Sequence, residues 1–339
     1  MLQLIAMRGD GHFMTLTKKK LALILFALVM IYFVLLLFLP ESIVGRRGED
    51  LAFFLMKLGF LALTAAIFTV FILLFFFKGE YITNQINTFG RYKYYLRLLI
   101  KRDFITKYRK SVLGVVWSVL HPLLMMIVMT FAFQQLFRVE IENFPVYVFS
   151  GQLIFNFFSE STTLAMNSVI VGEGVIKKIY VPKYMFPLSR VISSLVNLLF
   201  SFVTFLLVFT FTGAQFYWTM LLVPIPFIFI FVFSLGIAML LASLAVFFRD
   251  LTYLYGVLMQ LLFFMTPIMY PVDIIPQWLI PFYGLNPLYH FVTYFRALTR
   301  LGTVPDIWST MVCIGFALCA LCVGTAVFMK QQDKYILNL

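Results

Sequence analysis

Residues 172–190, GEGVIKKIYVPKYMFPLSR, form a short charged interruption between two long apolar runs. Gly172 and Gly174 can end the preceding helix, because glycine adopts the left-handed conformation that closes a last helical turn. Pro182 limits a short helix, and Pro187 suits the first turn of the next one, where no amide partner is needed. The segment is therefore predicted to be a short structured connection between two membrane helices.

Between those stops, helical spacing places Ile176, Ile179 and Tyr180 on one face, while Lys177 and Lys178 point elsewhere. An amphipathic turn of this kind below a membrane domain offers a surface that a soluble partner can bind. The alternative is an ordinary cytoplasmic loop whose lysines follow the positive-inside tendency. The residue types leave both interpretations open.

The composition of the whole chain is typical of a polytopic helical membrane protein. The 339 residues are 63% hydrophobic and 12% charged, with 42 phenylalanines, whereas soluble domains carry about a quarter charged residues. Apolar runs of about 20 residues recur, and helices satisfy their own backbone groups in lipid. The net charge of +12 is explained by basic cytoplasmic loops, and nucleic-acid binding is not expected because no long hydrophilic domain exists.

The sequence carries none of the common cofactor or metal motifs. Cys319 and Cys322 form a C-x-x-C, but it lies in the middle of an apolar run with no histidine nearby, so packing is expected. The histidines fit no zinc motif. No Gly-Lys dipeptide occurs, so the phosphate-binding GxxxxGK[ST] loop is absent and this chain is not expected to bind ATP in that way.

Residues 1–87 are predicted to be an N-terminal extension with two transmembrane helices. Lys18, Lys19 and Lys20 precede an apolar run over residues 21–39, which is long for a signal peptide and is interpreted as a retained span. A charged turn over residues 41–50 leads to a second apolar run that ends near residue 77. The two runs form a helical hairpin.

Residues 78–110 are the most basic part of the chain and are predicted to be cytoplasmic. Leu96 and Leu99 share one helical face with Tyr92 and Tyr95, and the lysines and arginines lie on another, which suits a helix in the headgroup plane. The residues assigned to this interfacial helix are Tyr92, Arg97, Lys101, Arg102, Lys107 and Arg109.

Residues 88–339 are predicted to form the main domain, with six membrane spans and both termini of the chain in the cytoplasm. The spans cover residues 111–137, 144–171, 186–211, 217–248, 251–266 and 307–329. Between the last two, five prolines cut residues 267–302 into pieces too short to cross a hydrocarbon core of about 30 Å. Such pieces need protein or a water-filled cavity beside them, so a re-entrant outer segment is predicted.

The second of these spans carries a polar stripe. Its members at helical spacing are Gln152, Asn156, Ser159, Glu160, Thr163 and Asn167. An ionised carboxylate at mid-membrane costs about 2.5–3.5 kcal/mol on insertion scales, so Glu160 is expected to face a partner or water. The stripe either borders a hydrophilic passage or bonds neighbouring helices, at about 0.6 kcal/mol per contact.

Aromatic residues on the first and fifth spans are candidates for contact with sugar rings, whose apolar faces pack on aromatic faces. The candidates are Trp117, Phe131 and Phe137, and, on or just beyond the fifth span, Tyr255, Phe263 and Tyr270. In so Phe-rich a chain, lipid-facing or core packing is the alternative for each. Arg296 and Arg300, on the predicted outer side, either meet phosphate or acidic sugars or anchor the chain to headgroups.

Five stretches in order carry a family resemblance: RDFITKYRKSVLGVVWSVLHPLLMM from residue 102, FPVYVFSGQLIFNFFSES from 144, GEGVIKKIYVPKYMFPLS from 172, LAVFFRDLTYLYGVLMQLLFFMTPIMYP from 244 and NPLYHFVTYFRAL from 286. From about Tyr92 onward the chain resembles the membrane subunits of ABC-2-type polysaccharide exporters, the family that exports O-antigen, teichoic acid and capsule. Residues 1–80 do not match the usual core.

The resemblance implies an all-α polytopic fold with a type V exporter-like core of six helices, to which the N-terminal hairpin is added. It implies that two copies of the chain pair with two separate ATPase subunits, which bind ATP and Mg, to export a lipid-linked polysaccharide across a bacterial inner membrane. The first and fifth spans would line the channel, capped outside by the segment after Pro267. The resemblance also implies a coupling helix over residues 175–183 that contacts the ATPase subunit. Its implied coupling residues are Val175, Ile176, Lys177, Lys178, Ile179, Tyr180 and Lys183.

Two other functions remain open from the sequence. One is an ABC-2 permease for a different cargo, such as a lipid, a drug, teichoic acid or capsule. The other is a polyprenol-dependent glycosyl transferase or ligase, which would act without ATP through carboxylates on the outer face.

Overall fold

The computed structural model describes residues 79–109, 113–136, 141–179, 181–276 and 279–335. These residues form helices joined by turns, and none of them lies in a β-strand. The predicted N-terminal hairpin, as well as Phe137 and Tyr180, lies outside the described residues. The chain divides into two units, residues 1–93 and 94–339, and the first described helix begins in one and ends in the other.

The α-helices of the described residues are α1 (Gly79–Tyr108), α2 (Trp117–Thr130), α3 (Phe144–Met166), α4 (Ser168–Val171), α5 (Glu173–Ile176), α6 (Met185–Phe211), α7 (Pro224–Phe247), α8 (Leu251–Met265), α9 (Ile280–Gly284), α10 (Pro287–Arg296) and α11 (Ile307–Gln331). A π-helical turn, Phe131–Leu136, extends α2, and another, Ala297–Leu301, extends α10. Following the predicted orientation, we call the end of the main unit that carries α5 the inner end and the opposite end the outer end.

Where the structure describes them, the six predicted spans of the main domain are mainly helical, which confirms the all-α membrane fold. Within the described part of the chain, four helical segments are long and apolar enough to cross a membrane: Gly114–Gln134, Met185–Phe211, Trp218–Phe247 and Ile307–Lys334. The helix α3 is long but carries the polar stripe. The helix α8 has 15 residues and is about 22 Å long, because the chain breaks at Pro267, which lacks an amide donor.

The helix α3 lies at the centre of the main unit, since most of its side chains are buried and it packs on α6, α7 and α10. Ring contacts fix it to both long neighbours: Phe149 meets Phe205 of α6 with centroids 5.9 Å apart, and Phe158 stacks on Phe233 of α7 at 5.4 Å. Because lipid is as apolar as these side chains, close packing is what holds membrane helices together.

The helices α7 and α11 make the most extensive contact between any two described helices, and their backbones touch where two glycines meet. A Cβ atom on Gly236 would lie 2.2 Å from the carbonyl carbon of Ala320. A Cβ atom on Gly324 would lie 1.9 Å from the carbonyl oxygen of Gly236. Small residues permit such close crossings in membranes, and here only glycine fits.

The broken outer segment is held to the end of α8 by Asn286, which also caps α10. The Asn286 side-chain oxygen accepts a hydrogen bond from the Leu288 amide at 3.0 Å. Its side-chain nitrogen donates to Thr266 Oγ1 at 3.0 Å and to the Met265 carbonyl at 3.3 Å. The polar groups at the interrupted end of α8 are thus satisfied by protein, as irregular backbone at membrane depth requires.

Candidate functional sites at the two ends of the bundle

The inner-end connection is a compact turn around α5 and is shorter than the predicted helix. The helix α5 contains only the four residues Glu173–Ile176, and the chain then continues in turns. The prediction of a helix over residues 175–183 is therefore wrong in its bounds. The helix cannot continue because Pro182 lacks an amide donor and biases the residue before it, Val181, towards extended conformations.

The two isoleucines that were predicted to share a face lie in different environments. Ile176 is 8% exposed and belongs to a buried cluster with Phe186 of α6 and Met239 of α7. Ile179 is 61% exposed, and Lys178 beside it is exposed as well. Ile176 therefore anchors the turn to the membrane helices, and Ile179 and Lys178 form the surface that remains available to a partner.

Of the other predicted coupling residues, Lys177 and Lys183 are engaged within the chain. Lys177 Nζ lies 2.6 Å from Glu173 Oε1, an exposed pair that contributes about 0.5 kcal/mol. The Lys183 ammonium donates to the Gln332 carbonyl and lies 5.7 Å from the centroid of the Tyr335 ring. Burial lowers the pKa of Lys183. Lys183 thus ties the inner-end turn to the C-terminal part of the chain.

The buried ring of Tyr335 completes this tie. Tyr335 is fully buried and packs edge-on against Phe247 of α7 and Phe328 of α11, with centroids 6.0 and 5.4 Å apart. It shares one buried cluster with Ile176. A displacement of the turn is therefore transmitted to the inner ends of α6, α7 and α11 by direct packing.

The predicted interfacial helix is amphipathic. Leu96 and Leu99 are buried, whereas Arg97 and Lys101 are exposed. The ring of Phe104 stacks at 6.4 Å on a phenylalanine of α6. The remaining residues assigned to this helix, Tyr92, Arg102, Lys107 and Arg109, lie on α1 or directly after it.

Glu160, the carboxylate of the polar stripe, has a charged partner within the chain. Its Oε1 atom lies 2.7 Å from Lys107 Nζ of α1 and accepts a hydrogen bond of 2.8 Å from Asn197 Nδ2 of α6. The carboxylate therefore joins three helices at the inner end. The other stripe residues do not share its environment, since Gln152 is 3% exposed while Asn156 and Thr163 are exposed.

The aromatic candidates also divide between surface and interior. Trp117 and Phe131 are 40% and 64% exposed along α2 and its extension. Phe263 of α8 is half-buried and packs against Phe155 of α3 at 5.1 Å. Tyr270 lies in the outer segment, where its hydroxyl contacts the Tyr283 hydroxyl at 2.9 Å.

Tyr255 is the exception and corrects the sequence prediction. Its side chain is 4% exposed, and its hydroxyl donates to Thr162 Oγ1 of α3 at 2.6 Å. A hydroxyl in an apolar interior needs a partner, and Thr162 supplies one inside the chain. Tyr255 therefore bonds α8 to α3 and offers no surface to a channel in this conformation.

Arg296 has a role that the sequence alone did not reveal. It is 7% exposed, which excludes both headgroup anchoring and contact with a passing phosphate. Its guanidinium donates to Ser150 Oγ at 3.1 Å and to the carbonyls of Pro267, Ile268 and Tyr147 at 2.6, 3.0 and 3.0 Å. It also lies 3.5 Å from the centroid of the Tyr147 ring, a cation–π contact.

This arginine clamps the break after α8 onto the outer end of α3. Gly151 makes room for it, since a Cβ atom there would lie 2.9 Å from the guanidinium. The sequence did contain a hint of this clamp. Pro267 interrupts the helix and leaves backbone carbonyls without helical donors, and Arg296, which follows it in the chain, carries five N–H donors that can satisfy them. Arg300 is placed differently and donates to the Glu142 carbonyl at 3.1 Å.

No three His, Cys, Asp or Glu side chains among the described residues come together as metal ligands. Residues 94–299 match the ABC-2 type transporter family. The chain belongs to this family.

Curated relatives are similar to most of this chain. The O-antigen export system permease protein RfbA of Klebsiella pneumoniae is 30% identical over 71% of this chain and 93% of its own length. The protein of the same name from Myxococcus xanthus is 28% identical over 72% of this chain and 95% of its own length. The polysialic acid transport protein KpsM of Escherichia coli is 21% identical over 70% and 93%.

Proposed function

We propose that this chain is the membrane subunit of an ATP-driven exporter that moves a lipid-linked, O-antigen-like polysaccharide across the inner membrane of a bacterium. The similarity to two O-antigen export permeases, which extends over nearly their whole length, carries the proposal. A capsule-type polysaccharide is the second candidate cargo, favoured by the more distant similarity to a polysialic acid transport protein.

Two copies of the chain work with two separate ATPase subunits that bind ATP and Mg. The absence of a phosphate-binding GxxxxGK[ST] loop from the sequence supports the proposal that ATP is hydrolysed by a separate subunit. The exposed surface at Ile179 and Lys178 can serve as the binding site of this subunit on the membrane domain. We propose that this turn and both termini lie in the cytoplasm, which the number of spans predicted from the sequence supports.

The geometry of the inner-end turn indicates how nucleotide-driven motion reaches the membrane. An ATPase subunit bound at Ile179 displaces the inner-end turn when it moves. The opposite side of this turn, at Ile176, is packed on α6 and α7. Interiors this densely packed move as units because they resist local compression. The inner ends of the helices therefore shift together when the ATPase subunits close.

The path of the polysaccharide lies along the exposed faces of α2 and α8, between two copies of the chain. Trp117 and Phe131 on one side offer exposed aromatic faces, and Phe263 on the other offers the part of its ring that is not packed on Phe155. Such faces suit a succession of sugar rings without selecting one sugar. The broken segment beyond α8, held by Arg296, closes the outer end of this path.

Replacing Ile179 by aspartate is expected to weaken binding of the ATPase subunit about 10- to 30-fold, since an apolar anchor at an interface contributes about 2 kcal/mol. The exposed position means that the fold is unaffected. Co-purification with a tagged ATPase subunit and ATP-dependent export measure the effect. The matched control is Val304→Asp at the outer end, where valine is 64% exposed.

Ile176→Asp separates docking from folding. Because Ile176 is buried, this change is expected to lower the melting temperature of the isolated chain, which Ile179→Asp leaves unchanged. If Ile179→Asp retains full ATPase binding and export, the docking assignment is wrong.

A further inference from the structure

A cavity of about 500 Å³ lies where α1 meets the inner ends of α3 and α6. Its charged lining comprises Arg102, Asp103, Lys107, Glu160 and Arg190. Apolar side chains at its border include Leu164, 42% exposed, and Val171, 67% exposed. A polar interior beside exposed apolar side chains is the composition expected of a pocket at the surface of a bilayer.

Among the charged side chains that the structure describes around this cavity, the cations outnumber the carboxylates by one. Arg190 Nη1 and Arg102 Nη2 both lie near Asp103 Oδ1, at 3.1 and 3.3 Å. Lys107 is paired with Glu160 at 2.7 Å. Three cations and two carboxylates give a net charge of +1, and two of the cations share a single carboxylate oxygen.

The network around Asp103 is also incomplete in its hydrogen bonds. The Asp103 side chain is 8% exposed, and its Oδ2 atom is buried with no hydrogen-bond partner among the described residues. Orphaned buried polar atoms are rare in native proteins, and a carboxylate oxygen accepts hydrogen bonds, so Oδ2 lacks a donor such as water or a headgroup hydroxyl. The site is therefore not complete as an internal ion-pair cluster.

We infer that this cavity binds one anionic phospholipid of the inner leaflet through its phosphodiester group. The single negative charge matches the net charge of the cavity, and guanidinium groups bind phosphate oxygens with two parallel donors. The acyl chains then run along Leu164 and Val171 into the bilayer. A lipid held here joins the interfacial helix α1 to α3 and α6.

The net charge also separates this ligand from the proposed cargo. A polyprenyl diphosphate carries at least two negative charges, which would leave the cavity over-neutralised beside Glu160 and Asp103. The inference is therefore independent of which polysaccharide is exported, and it holds if the cargo is of another class.

Native mass spectrometry of the detergent-purified, delipidated chain with added phosphatidylglycerol tests the inference. One phosphatidylglycerol should bind per chain, and phosphatidylcholine, which has no net charge, should bind about tenfold more weakly. Arg102→Gln and Arg190→Gln should each weaken phosphatidylglycerol binding about tenfold, the loss expected for one charge-assisted hydrogen bond. Arg97→Gln, an exposed arginine of α1 outside the cavity, should have no effect.

The Arg102 side chain is 53% exposed, so Arg102→Gln is expected to fold. This variant therefore tests lipid binding even if Arg190→Gln does not fold. Equal binding by wild type, Arg97→Gln and Arg102→Gln would overturn the inference and leave an internal ion-pair network. Displacement of phosphatidylglycerol by an equimolar amount of undecaprenyl diphosphate would also overturn it, because the site would then belong to the cargo.

Discussion

Replacing Gly236 by alanine is expected to disrupt the folded chain, although it adds one methyl group. The new Cβ atom would lie 2.2 Å from the Ala320 carbonyl carbon, and a helix backbone cannot move aside as a flexible side chain can. The helices α7 and α11 must then separate along their whole contact. The expected loss of stability is at or above the upper end of the about 1–3 kcal/mol that overpacking usually costs.

Gly256→Ala is the matched control, since Gly256 also lies inside a helix but a Cβ atom added to it would meet nothing within 4 Å. Its stability should be unchanged or slightly higher, because alanine favours helices by about 0.8–1.0 kcal/mol over glycine. Apparent melting temperatures in one detergent compare the variants. Equal melting temperatures for Gly236→Ala and Gly256→Ala would show that the two backbones do not touch.

Arg296→Gln should be comparably damaging, because it removes the donors that satisfy the break after α8. The Pro267 and Ile268 carbonyls lie outside any helix and accept hydrogen bonds from Arg296 at 2.6 and 3.0 Å, and the Pro267 carbonyl has in addition a longer contact of 3.4 Å with the Tyr147 hydroxyl. Each buried group left without a partner costs about 1–3 kcal/mol, so a loss of roughly 2–6 kcal/mol is expected. Protease sensitivity of residues 266–302 and the melting temperature report it.

Arg296→Lys distinguishes geometry from charge. Lysine keeps the positive charge but offers a compact ammonium in place of the planar fork, so it should rescue little. The exposed Arg249→Gln serves as the control and should melt like the wild type. Full rescue by lysine would mean that the charge, and not the four-way hydrogen bonding, holds the segment.

The positions of the membrane helices could be predicted from sequence because they depend on local properties. Runs of apolar residues and the prolines of residues 267–302 decide where a helix crosses lipid and where it breaks. The amphipathic face of α1 was predictable for the same reason, since Leu96 and Leu99 recur at helical spacing.

The environments of individual side chains were not predictable, because they depend on which helices become neighbours. Helical spacing grouped Ile176 with Ile179, but only the packing of α6 and α7 shows that one is buried. Tyr255 belongs to an aromatic face in the sequence and becomes an internal hydrogen-bond donor once α3 brings Thr162 beside it. The Arg296 clamp joins residues about 150 positions apart, Tyr147 and Arg296, which no local pattern reveals.

The central claim is that energy for export comes from a separate ATPase and enters through the inner-end turn. The most direct measurement reconstitutes this chain in vesicles with and without its ATPase subunit and follows a lipid-linked O-antigen across the bilayer against its gradient. Translocation should require the ATPase subunit, Mg and hydrolysable ATP, and should fail with Ile179→Asp. Uphill translocation by this chain alone, or without ATP, would contradict the account.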